Sequence, residues 1–316
     1  MKPKLALRLA VSIALLAYIL YIVDVEVMVE QFRGIDRSAY GVAILMGVAG
    51  IGISAKRWQI ILHSYEEHNG YWEVFSIYYL GAYSNLFLPG NIGGDAVKAY
   101  SMSSRTNDCV HAYSSVIIER LVGLVGLLLV GICAVVLVPA ELPRRAVFVF
   151  LVLSAVVFVF LGFLFSDVDF NPLVPSILPD RLPTEIGRVR RSIREFRNEY
   201  RVLALTLVYS LFFQLTAVLV YYATSIAIGV NVSILVLLVV IPIIQLLLII
   251  PASIHGYGVR ETLFVVFFTE IGLTVNEAVV YSLLVGFAVL IAASFGALFT
   301  LPSPRQFLDR GESRDR

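Results

Sequence analysis

Hydrophobic residues in this chain fall into long blocks separated by short polar breaks. Uncharged runs cover Leu9 to Val23, Ser38 to Ala55, Leu121 to Ala140, Ala146 to Ser166 and Ala278 to Pro304, and Val202 to Val259 contains no Asp, Glu, Lys or Arg. A hydrocarbon core of about 30 Å takes about 20 helical residues to cross. The pattern therefore predicts spans near 5–23, 39–62, 112–138, 146–166, 201–224 and 277–301, with Lys56 and Arg57 snorkelling from the end of the second. Two apolar stretches are interrupted by Pro and Gly. Segment 89–98 aligns without a gap to 251–260, matching Pro89 to Pro251, Ile92 to Ile254, Gly94 to Gly256, Val97 to Val259 and the base Lys98 to Arg260. Helix breakers at membrane depth leave backbone groups that lipid cannot satisfy, so they belong where protein or a water-filled cavity covers them. A pair of them at corresponding places in two halves points to a transporter-type site.

Each half then reads as span, span, broken hairpin, span, with hairpins near 73–104 and 233–272. If each hairpin re-enters on its own side, a half makes three crossings, and an odd number inverts the second half relative to the first. The expected fold is an all-α integral membrane protein of two inverted-topology repeats, 5–138 and 146–301, within one polytopic domain spanning 1–316. The stretch Val232 to Ile250 is apolar enough to cross completely, which would raise the helix count to eight or more.

Composition agrees: 59% of residues are hydrophobic and 15% charged, with a mean hydropathy of +0.86, whereas soluble domains carry about 25% charged residues. The N-terminal run after Lys2, Lys4 and Arg8 resembles a signal-peptide core, but no small-x-small cleavage site follows it, so it is kept as a span. The net charge of +1 says little, yet its distribution is uneven. Lys2, Lys4, Arg8, Lys56, Arg57, Lys98, Arg105, the seven arginines from Arg181 to Arg201 and those of the tail 302–316 fall on one side, against Arg33, Arg37, Arg144 and Arg145 on the other. The positive-inside rule makes the first side cytoplasmic, with both termini there, and the plasma membrane is the expected location. Segment 184–201 places Ile186, Val189, Ile193, Phe196 and Tyr200 on one helical face and arginines on the rest. It reads as a helix on an anionic leaflet, or as a stop-transfer loop that fixes topology. Cys109 and Cys133, in a polar loop and a span, make neither a disulfide nor a thiolate metal site. Nucleic-acid motifs are absent.

Charges inside apolar sequence cost about 2.5 to 3.5 kcal/mol each even on mild scales, so they demand a partner or a hydrated site. Three clusters stand out: Asn85, Asp95 and Lys98 at the first break, Glu119 and Arg120 entering the third span, and His255, Arg260 and Glu261 at the second break. Gly93 and Gly94, with Gly90, expose backbone N–H groups suited to an anion, and a phosphate is the natural guest. The alternative is a turn in which Asp95 caps the next helix. Glu119 and Arg120 point about 100° apart and make separate pairs, Arg120 with Asp95 and Glu119 with Lys98 or Arg260. Arg260 suits phosphate through its planar fork, with Glu261 orienting it. His255 either titrates near neutral pH or makes an ordinary hydrogen bond. Gln214, Gln245, Asn231 and Tyr221 line a path or hold helices together. No compact metal motif or Walker sequence is present, so neither cofactor nor metal is expected.

These residues resemble the lysylphosphatidylglycerol synthase/flippase transmembrane family. The likeness runs through Asn85, Pro89, Gly93, Gly94, Asp95 and Lys98, then Ser115, Glu119, Arg120, Gly123 and Leu124, then Pro251, Gly256, Gly258, Arg260 and Glu261, and extends over about 5–300. Family members commonly carry Arg at the place of Lys98. Lysine keeps the charge and loses the bidentate geometry. The resemblance implies movement of a polar lipid head group between leaflets, phosphate-bearing and in some relatives aminoacylated or glycosylated. It also implies a substrate-binding set of Asn85, Gly93, Gly94, Asp95, Lys98, Glu119, Arg120, His255, Gly256, Arg260 and Glu261. Full-length synthases add a soluble aminoacyl-transfer domain; a stand-alone membrane module is expected here. The partners implied are anionic or phosphate-bearing membrane lipids, with a lipid-modifying enzyme as a further one. Rival readings are an intramembrane transferase or phosphatase acting on polyprenyl-phosphate lipids, and a non-transporting scaffold. Lacking an ATP-binding sequence, transport would run downhill or be coupled to an ion.

Overall fold

The computed structural model describes residues 3–88, 93–106, 109–137, 143–165, 196, 199–249, 256 and 258–299, and among them the regular structure is helical. In chain order the helices are α1 (Pro3–Ile22), α2 (Val25–Arg33), α3 (Arg37–His63), α4 (Tyr71–Ser84), α5 (Gly93–Ser103), α6 (Cys109–Leu137), α7 (Arg144–Phe165), α8 (Tyr200–Ala227), α9 (Ile234–Ile249), α10 (Val259–Thr269) and α11 (Val275–Ser294). A 3₁₀ turn, Phe295–Phe299, extends α11. Among the described residues five helices are long and apolar enough to cross a membrane: α3, α6, α7, α8 and α11. A sixth span arises if α1 and α2, which meet at 86°, count as one bent element. The protein is thus a multi-span membrane protein, and the five long helices fall where the hydrophobic runs placed spans.

The four helices of the two broken segments are shorter. α4 has 14 residues, α5 and α10 have 11 each, and α9 has 16. At 1.5 Å per residue even α9 reaches only about 24 Å, less than the hydrocarbon core. The described helix in this run, Ile234–Ile249, carries Pro242 inside it.

One element was unexpected. The polar segment after the first span, read as a loop, forms α2 and turns sharply away from α1. Asp24 starts it by accepting hydrogen bonds from the N–H groups of Glu26 and Val27, a standard N-cap. The backbone N–H of Asp24 donates to Asn276 Oδ1 at 3.1 Å, which holds the corner against the start of α11.

At the centre, α3 and α8 pack along each other more extensively than any other pair. α6 lies against α8 and α11 against α3. Small residues permit the close approaches: a Cβ on Gly126 would sit 2.7 Å from that of Ser210, and one on Gly47 3.1 Å from that of Ala292. This is the packing that membrane helices use where hydrophobicity supplies no driving force between them. Two aromatic groups fill the flanks. Trp58 and Tyr78 meet edge to face on one side, while Tyr221, Phe264, Phe268 and Tyr281 interlock on the other. Phenols bridge the halves, with Tyr40 donating to the Leu284 carbonyl and Tyr79 to that of Ala292.

The proposed amphipathic segment 184–201 and the tail 302–316 lie largely or wholly outside the described residues. Of its apolar face, Phe196 and Tyr200 are described: Phe196 is buried against Ile61, Ile118 and Val122, whereas Tyr200 opens α8 and is exposed.

Candidate functional site

The two hairpins and the central helices enclose a cavity of about 610 Å³. Asn85, Gly94, Asp95, Lys98 and Arg120 line it from the first half, and Arg260 lines it from the second. Asp95 and Arg260, distant in sequence, thus border one space.

The first hairpin is built around an unusually close approach. The Asn85 side-chain oxygen accepts a hydrogen bond of 2.6 Å from the N–H of Gly94, so Asn85 supplies the cap for α5. A side chain at Gly94 would collide with the Gly81 carbonyl and the Asn85 amide, which explains the glycine. With Asn85 in that role, Asp95 is released for ion pairing. It accepts from Arg120 Nε at 2.7 Å and lies 3.1 Å from Lys98 Nζ. Gly93 starts α5 beside Leu88 and does not border the cavity.

Behind this wall sits Glu119, 1% exposed. Its carboxylate accepts from Lys98 Nζ at 2.7 Å, Arg57 Nη2 at 2.5 Å and the Tyr78 hydroxyl at 3.0 Å. The pairs Arg120 with Asp95 and Glu119 with Lys98 are those expected from the 100° separation of adjacent helical residues. Lys98 also faces the Tyr78 ring, 4.2 Å from its centroid, a cation–π contact in a dry setting.

Arg57 corrects the sequence reading. Taken as a snorkelling cytoplasmic base, it is instead 4% exposed and bonded to Glu119 and to the Ser210 hydroxyl at 3.0 Å. Lys56, its neighbour, turns outward. The signal that could have found Arg57 is Glu119 itself: a carboxylate inside a span, whose adjacent Arg120 points about 100° away, needs a cation from another helix, and Arg57 is a base at the end of one.

In the second hairpin, Gly256 and Gly258 adopt φ of 76° and 83°, conformations that L side chains rarely take. Glu261 is 1% exposed and does not reach the cavity, contrary to its expected lining role. One of its oxygens accepts the Gly258 N–H at 2.7 Å, capping α10, and the other accepts Arg260 Nη2 at 3.1 Å and Nε at 3.3 Å. It therefore orients Arg260 from behind. The guanidinium lies over Gly286, where an added Cβ would fall 2.5 Å from Nη2. His255 lies outside the described residues.

Of the other polar residues on apolar segments, Tyr221 and Gln245 border the cavity. Gln214 is buried. No group of three or more His, Cys, Asp or Glu among the described residues is arranged to hold a metal ion. The arrangement offers anchored cations and one carboxylate to a guest inside an apolar bundle, a combination suited to holding an anion by charge-assisted hydrogen bonds.

Residues 5–296 match the family described as lysylphosphatidylglycerol synthase TM region. No curated protein matches the chain.

Proposed function

The chain belongs to the lysylphosphatidylglycerol synthase transmembrane family, and on that premise we propose that it moves a phosphate-bearing lipid head group across the bilayer through the central cavity. The observation that carries this reading is the convergence of Asp95, Lys98 and Arg120 with Arg260 on one space. A polar cavity in the bundle gives the head group a hydrated or charge-matched route while the tails stay in lipid. Asn85, Gly94, Asp95, Lys98, Arg120 and Arg260 contact the guest. Glu119, Glu261 and Arg57 hold these groups in position, while Gly93 starts α5 and Gly256 lies in the turn before α10.

Two inverted repeats are part of the proposal, and the packing pairs support a two-fold exchange of the halves. Exchanging α3, α4, α5 and α6 for α8, α9, α10 and α11 turns the contact of α5 with α6 into that of α10 with α11. The same exchange turns α6 with α8 into α11 with α3, and α6 with α9 into α11 with α4. All six contacts are present. At the same 162-residue offset Lys98 corresponds to Arg260, and Glu119 to Tyr281, whose hydroxyl donates to the Tyr221 carbonyl at 2.8 Å. The charge asymmetry supports cytoplasmic termini, and a plasma-membrane location is part of the proposal.

Reconstitution into vesicles with head-group-labelled lipids, scored separately for leaflet exchange and for chemical change, tests the function. Asp95→Asn and Arg260→Gln should each slow exchange by about tenfold or more, the effect of losing one charge-assisted contact of roughly 1.5 to 3 kcal/mol, without altering elution or helicity. Wild-type exchange in both variants, or lipid chemically altered by the protein, rules the proposal out.

A further inference from the structure

Outside the central cavity, a separate groove of about 490 Å³ lies between α3, α4 and α8, lined by Ala49, Gly52, Ile53, Lys56, Tyr71 and Tyr209. On α3 these residues recur at 49, 52, 53 and 56, a helical stripe distinct from Met46, Gly47, Gly50 and Ser54, which face the cavity. We propose that this groove binds an anionic phospholipid, with the phosphate at Lys56 and Tyr209 and an acyl chain along Ala49, Gly52 and Ile53. The inference does not depend on the transport reading.

Three features support it. The first is depth. α3 has 27 residues, roughly 40 Å, which exceeds the hydrocarbon core of about 30 Å, so Lys56, seven residues before the last residue of α3, sits near head-group level. Tyr71 and Trp72 open α4 beside it, and Trp72 is 74% exposed; aromatic residues of this kind settle at the membrane interface. The second is charge. Lys56 donates to Gln59 Oε1 at 2.8 Å and lies 5.9 Å from the centroid of the Tyr71 ring. An ammonium has three N–H donors, and no lining residue carries a negative charge to compete for them. Basic pockets between membrane helices are where acidic lipid head groups bind.

The third feature is shape. The Tyr71 hydroxyl is tied back to the Gly52 carbonyl at 3.2 Å, which fixes one wall. At Gly52 an added Cβ would come within 3.4 Å of that hydroxyl, so a larger side chain there would fill the floor. The apolar floor and polar rim match a phospholipid, and they do not match a soluble anion, which would gain nothing from Ala49 and Ile53.

Delipidated protein in detergent, titrated with short-chain phosphatidylglycerol or phosphatidylcholine and followed by native mass spectrometry, tests the site. Phosphatidylglycerol should bind more tightly. Lys56→Gln should lower its affinity by about tenfold, the worth of one charge-assisted contact, and Gly52→Leu should lower it for both lipids. Lys56→Arg should retain binding, and Arg260→Gln, in the central cavity, should leave the Lys56-dependent component in place. Equal affinity for the two lipids, or phosphatidylglycerol binding unchanged by Lys56→Gln, overturns the proposal. An unaltered unfolding temperature in each variant shows that lost binding is local.

Discussion

Replacing Glu119 with glutamine removes one buried negative charge and almost nothing of the side chain's shape. Three donors converge on that carboxylate: Arg57 at 2.5 Å, Lys98 at 2.7 Å and the Tyr78 hydroxyl at 3.0 Å. An amide offers one acceptor oxygen and turns an NH₂ group toward cations. Lys98 keeps Asp95 at 3.1 Å, whereas Arg57 keeps the neutral Ser210 hydroxyl. Both bases remain buried. Removing one partner of such a pair costs about 3 to 5 kcal/mol, because the remaining charge is left uncompensated. Thermal unfolding of purified protein in detergent should then shift down by on the order of 10 °C. Trp58, 5.4 Å from the Lys98 ammonium across its ring, provides a fluorescence probe at the right place. The double variant with Arg57→Met should be less destabilised than the sum of the two single ones by more than about 1 kcal/mol, since the second change removes the stranded cation. Additive effects, or a Glu119→Gln protein within about 1 kcal/mol of wild type, would refute the reasoning that Glu119 holds the network together.

Gly94→Ala should destabilise the protein by about 1 to 3 kcal/mol, as overpacking does, because the new methyl meets backbone at Gly81. Gly70→Ala, with open space around it, should stay within about 0.5 kcal/mol, and the same unfolding assay compares them. At the start of α3, hydrogen bonds from the Ser38 hydroxyl and from the N–H groups of Ser38 and Ala39 hold the Asp36 carboxyl below the usual aspartate range. The folded pKa lies beneath the unfolded one, so this cap contributes fully above the unfolded value and is lost as pH falls through the folded value. Faster hydrogen exchange at Ser38 and Ala39 in acid, absent in Asp36→Asn, is the expected sign.

Much of the architecture is legible in the order of apolar runs because a spanning helix must satisfy all its backbone groups internally, and only a long uninterrupted run permits that. The pairings of Asp95 with Arg120 and Glu119 with Lys98 were legible for a related reason: few charges were available inside the bundle, and helical geometry limited their directions. Arg57 was not. It follows Lys56 at the end of an apolar run, and a sequence rule treats two adjacent bases there alike, although the helix points them about 100° apart. α2 was legible and was passed over: Val25, Met28, Val29 and Phe32 recur at i, i+3, i+4 and i+7 behind Asp24 as an N-cap, but nine residues between two long spans were read only for their charges. Asn85 was singled out for binding, yet its role as the cap of α5 depends on the close approach of Gly94 to Gly81, a distance that no spacing along the chain reveals.

The carboxylate of Glu119 also has a mechanical meaning. Arg57, Tyr78 and Lys98 belong to α3, α4 and α5, and Glu119 to α6, so a single pin crosses four members of one frame. Sliding α5 by one helical turn, about 5.4 Å, would draw that pin out of a dry socket. On the opposite wall Glu261 holds the adjacent Arg260 and also accepts from the Ser282 hydroxyl of α11, so each wall of the cavity is fastened through one buried carboxylate to the long helix that follows it, and a shift of either hairpin helix past that neighbour must first break a bond made out of reach of water.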